Sequence, residues 1–74
     1  MFTTVKSLTC YIDRNIGYVN EAKANKAMHE ETKYNEYMVC MEDTLKGQLE
    51  KLKSISTNKS LIVRYEKKIA NAFD

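Results

Sequence analysis

One apolar stripe constrains this chain more than any other feature: Tyr34, Tyr37, Met38, Met41, Leu45, Leu49, Leu52 and Ile55 recur at helical intervals. Steps of three and four return to the same side of an α-helix, whereas a strand would send neighbouring members to opposite faces. The stripe predicts a helix over about 27–55. Gln48 lies inside it and must find a polar partner. Gly47 lies beside it and gives up about 0.5–1 kcal/mol relative to Ala. Glu42 and Lys46, four residues apart, support the exposed side.

The flanking segments also read as helix. Val5, Leu8, Ile12, Ile16 and Val19 share a narrow stripe, with Tyr11, Tyr18 and Ala22 on its shoulder, so a first helix is expected over about 4–24. Thr3 or Thr4 can cap its start with a hydroxyl. Ser56-Thr57-Asn58-Lys59-Ser60 reads as a loop whose small polar side chains can cap a third helix, over about 60–73. There Leu61, Ile62, Tyr65, Ile69, Ala72 and Phe73 share one face, opposite Arg64, Lys67, Lys68 and Asn71. The absence of Pro and the presence of only two Gly leave little punctuation for strands. The chain is therefore expected to be all-α.

The polar segment from Asn20 to Lys33 decides the architecture. A reversal near Asn25 gives an antiparallel helical hairpin with the third helix packed across it, a small three-helix bundle. Without a reversal, residues 4–55 form one rod of about 75 Å that could bury its stripe only in a long-helix dimeric coiled coil. Glu30 and Glu31 fall where a continuous seam would have to be apolar, which favours the hairpin.

At 74 residues the chain has room for one domain, and a chain of this size buries only about 60% of its unfolded surface. A large preformed substrate cavity is not expected. No apolar run approaches the roughly 18–20 residues of a membrane span, and the start, Met1 to Lys6, does not read as a secretory signal. Cys10 and Cys40 are too few for a disulfide scaffold and lack CxxC spacing, so a cytoplasmic setting is expected. They are equidistant from Asn25, but each falls off its helix's core line, which argues against a bridge between them.

No pattern in the chain carries catalysis. A phosphate-binding glycine loop, a GxSxG elbow and an HExxH pair are all missing, so no enzymatic role and no cofactor are expected. His29 with Glu30, Glu31 and Glu36 offers donor atoms for a metal, yet a helical ExxH or HxxxH pair is lacking. Solvated helix surface explains those residues, and no metal ligand is assigned.

Two surfaces remain. Tyr34, Tyr37, Met38, Met41 and Leu45 form an amphipathic cluster of the kind that recurs at protein interfaces, although core packing explains part of it. The other helices are too short to cover the whole stripe. Charge is uneven: residues 1–45 hold five Lys/Arg and seven Asp/Glu, whereas residues 46–73 hold seven Lys/Arg and two Glu. Lys59, Arg64, Lys67 and Lys68 make a basic patch that could meet nucleic acid or an acidic surface. The bias toward Lys, Asn, Ile and Tyr suits an AT-rich coding sequence, and small free-standing chains of this kind are often regulators or inhibitors carried by a phage or plasmid. The expectation is a helical protein–protein interaction module, a homodimer, that blocks a surface on a larger protein or complex. The alternative is a DNA- or RNA-binding regulator that uses the C-terminal helix.

Overall fold

In the computed structural model, which describes residues 4–74, three helices follow one another: α1 (Val5–Ala24), α2 (Glu31–Ile55) and α3 (Lys59–Ala72). Thr4 starts α1, its Oγ1 accepting a hydrogen bond from the Ser7 amide at 3.1 Å. This satisfies one of the amides that a first helical turn leaves unpaired. Thr3, the other candidate cap, lies outside the described residues.

The reversal occurs between Asn25 and Glu30, which is the hairpin solution. Asn25 closes α1, its side-chain amide donating to the Glu21 carbonyl at 3.0 Å. A single 3-10 turn over Lys26–Met28 follows, and His29 and Glu30 are extended. The second helix thus begins at Glu31, four residues later than the stripe implied. Glu30 precedes it without any side-chain cap, so the boundary carries no capping signal in the sequence.

The α2 helix ends at Ser56, whose hydroxyl accepts from the Asn58 amide at 3.2 Å. Asn58 then caps α3, accepting from the Leu61 amide at 3.1 Å. The third helix runs parallel to α1: Tyr65 bonds to Asp13, and farther along Lys23 Nζ donates to the Ala72 carbonyl at 2.9 Å. That ammonium sits where the C-terminal end of a helix carries partial negative charge.

Leu8, Ile12 and Val19 from α1, Leu45, Leu49 and Leu52 from α2, and Tyr65, Ile69 and Ala72 from α3 form the buried core. Val5, Ile16, Met38, Met41 and Ile55 pack against it while half-exposed. Gln48 finds the partner its position demands, accepting from Asn15 Nδ2 of α1 at 3.0 Å. This bond also fixes the register. Counting from it, Cys10 and Cys40 stand at different levels, roughly 20 Å apart along the bundle at 1.5 Å per residue. Both are exposed free thiols.

Candidate interaction surface

The inequality of the helices creates the site. At 25 residues α2 is about 37 Å long, whereas the 14 residues of α3 span about 21 Å and start beside the C-terminal end of α2. The C-terminal end of α3 reaches the last turn of α1, where Lys23 bonds the Ala72 carbonyl, and borders Tyr34, Met38 and Val39 of α2 there. Every buried α2 residue lies in its second half, from Leu45 onward. Toward the hairpin end the same stripe loses its cover: Tyr34 and Met38 are half-buried and Tyr37 is 41% exposed.

Two depressions flank the α2 stripe there. On the side away from α3, an open groove of about 690 Å³ lies between the end of α1 and the start of α2; Tyr18, Met28, Tyr34 and Tyr37 line it, with Glu21 and Lys33 also on its walls. Met28, on the 3-10 turn, is 84% exposed. On the side toward α3, a smaller cleft of about 280 Å³ is lined by Met38, Val39 and Phe73, among others, and Val39 is 60% exposed. Isolated exposed apolar side chains are ordinary; here Tyr18, Met28, Tyr37 and Val39 are exposed around these two depressions, while Tyr11 and Val63 are exposed elsewhere.

Of the five residues assigned from the stripe, Tyr34, Tyr37 and Met38 reach this surface. Met41 is half-buried against the core. Leu45 is fully buried and cannot meet a partner, because it lies where α1 and α3 both cover α2. Met28 and Val39, the most exposed of the large apolar side chains, were missed. Neither falls on the core stripe, so periodicity discards the residues that a surface would use.

The basic patch is thinner than its sequence suggests. Lys68 is paired at the surface, donating to Asp13 Oδ1 at 3.2 Å and lying 4.9 Å over the Tyr65 ring. Lys53 sits between Glu50 at 3.5 Å and Glu66 at 3.8 Å. Lys59, Arg64 and Lys67 stay exposed on the outer face of α3 and join no ion pair among the described residues.

Where α1 meets α3, the Tyr65 hydroxyl donates to Asp13 Oδ2 at 2.9 Å. Burial raises the Tyr65 pKa, and the hydrogen bond to the Asp13 carboxylate and its negative charge raise it further. This pairing joins α1 to α3 in the folded chain. His29 lies with its ring 6.2 Å from that of Tyr34, while Lys26 stands 5.3 Å over the same Tyr34 ring. Among the described residues no group of three or more His, Cys, Asp or Glu side chains is placed to hold a metal ion. Nor is any helix of those residues long and apolar enough to cross a membrane. Comparisons with protein-family models, with curated proteins and with solved structures gave no significant match.

Proposed function

We propose that this chain is a small helical protein–protein interaction module, a regulator or inhibitor of the kind carried by phages and other mobile elements. It acts sterically, by covering a surface on a larger protein or complex. The reading rests on one observation: at the end of α3 a cleft lined by Tyr34, Met38, Val39 and Phe73 stays open, and Val39, which lies off the core stripe, is 60% exposed on it. Val39, Met38 and Tyr34 supply apolar contact at the partner, and the charges of α2 around them orient it.

The test is capture of a partner from the host with wild-type protein and with Val39→Asp as baits. Val39 faces solvent, so the variant folds as the wild type does. Loss of the captured protein supports the reading; equal recovery by both baits refutes it.

A second reading has its own support in Lys59, Arg64 and Lys67, exposed together on the outside of α3. Three cations contacting phosphates of DNA or RNA would give binding that weakens steeply with salt. An electrophoretic shift experiment at low salt that finds no complex rejects that reading.

A further inference from the structure

We infer that the cleft beside Val39 takes a protein segment that presents an apolar side chain flanked by Lys or Arg. This rests on the reading of that cleft as the docking surface and adds the chemistry of its occupant. The cleft holds about 280 Å³, below the roughly 300–1,000 Å³ of pockets that enclose a whole small molecule, and its lining includes Met38, Val39 and Phe73. An apolar side chain reaching in from a protein surface suits that space.

The sign of the rim selects what surrounds that side chain. Glu36 stands three residues before Val39 and Asp43 four after it, so both share its side of α2, and both are exposed. Glu42 and Asp74 lie on the lining itself. Among the described residues Glu36, Asp43 and Asp74 join no ion pair. The nearby cations are already engaged: Lys23, on the lining, donates to the Ala72 carbonyl, and Lys46, two turns beyond Val39, pairs with Glu42 at 3.7 Å. The chain as a whole carries +2, so this rim runs against its overall charge. The groove on the other flank has no such bias, since Glu21 and Lys33 both line it. An acidic rim repels nucleic acid and anionic surfaces and complements cationic side chains grouped around an apolar one. Exposed rim charges act more on partner choice and rate of approach than on the strength of the complex, so moderate salt should change the affinity only a few-fold.

The experiment uses two short Leu-centred peptides, identical except that one carries Lys and the other Glu around the leucine. Each is titrated into the isotope-labelled chain up to about 1 mM and followed through the amide NMR signals. The Lys peptide should shift the signals of Met38, Val39 and Phe73 and bind at least about fivefold more tightly than the Glu peptide. Nonspecific attraction to a chain of net +2 would give the opposite order. Reversing the rim with Glu36→Lys plus Asp43→Lys, both solvent-facing positions, should invert the preference. Equal binding by the two peptides, a preference for the Glu peptide, shifts confined to residues outside the cleft, or no shift at all overturns the inference. So does a preference that the double reversal leaves unchanged. The docking reading fails on a different result, recovery of the host protein that Val39→Asp does not alter.

Discussion

Replacing Tyr65 with Phe isolates one contact that fastens α3 to the hairpin. The ring is 5% exposed and stays in place, so the apolar burial is preserved and only the hydroxyl's bond to Asp13 Oδ2 is lost. A hydrogen bond to a charged acceptor contributes about 1.5–3 kcal/mol when well buried, but the Asp13 side chain is 49% exposed and partly hydrated. We therefore expect a loss of about 1 kcal/mol, or about 4–8 °C in Tm for a domain of this size. The pH dependence supplies a sharper check. Burial and Asp13 raise the folded-state pKa of Tyr65 above the ordinary value of 10.0, so the fold favours the neutral phenol. The stability this contributes is complete below the unfolded value and is lost as pH rises through the folded one. Thermal unfolding of both proteins, followed by circular dichroism, should show a constant gap up to about pH 10 that narrows above it. A gap that is absent at neutral pH, or that stays flat through the alkaline range, refutes the reasoning.

Three further outcomes follow from the same packing. A Cβ added at Gly17 or Gly47 meets nothing within 4 Å, so Gly17→Ala and Gly47→Ala should each stabilise by about 0.5–1 kcal/mol in urea unfolding. Leu52→Ala empties a fully buried position shared by the helices and should cost about 2–5 kcal/mol by the same assay. Asn58→Ala removes the bond to the Leu61 amide and should cost about 1 kcal/mol, seen as a lower thermal midpoint.

The helices were legible because their stripes are local: Leu8, Ile12 and Val19, or Leu45, Leu49 and Leu52, repeat at distances that one helix sets for itself. The polar demand of Gln48 was legible for the same reason, as a break in a pattern. Its partner Asn15, 33 residues away, was not, because that pairing depends on the register of the hairpin. The turn was placed near the right residues, but the start of α2 at Glu31 was missed, since no side chain caps Glu30 and a 3-10 turn shares its composition with helix. Leu45 illustrates a different limit. Periodicity reports which face a residue occupies, while coverage depends on where a third, shorter helix begins and ends. Asp13 with Tyr65 and Lys68 spans more than 50 positions, and only the folded chain brings those groups together.

The central claim, that the cleft beside Val39 is an apolar grip, is tested most directly by calorimetric titration of the captured partner at several temperatures. Removal of apolar surface from water lowers the heat capacity on binding. Wild-type protein should give a clearly negative heat-capacity change with little response to salt, and Val39→Asp should reduce it together with the affinity. A heat-capacity change near zero, with affinity falling steeply as salt is added, would contradict the claim and move the binding surface to the lysines and arginine of α3.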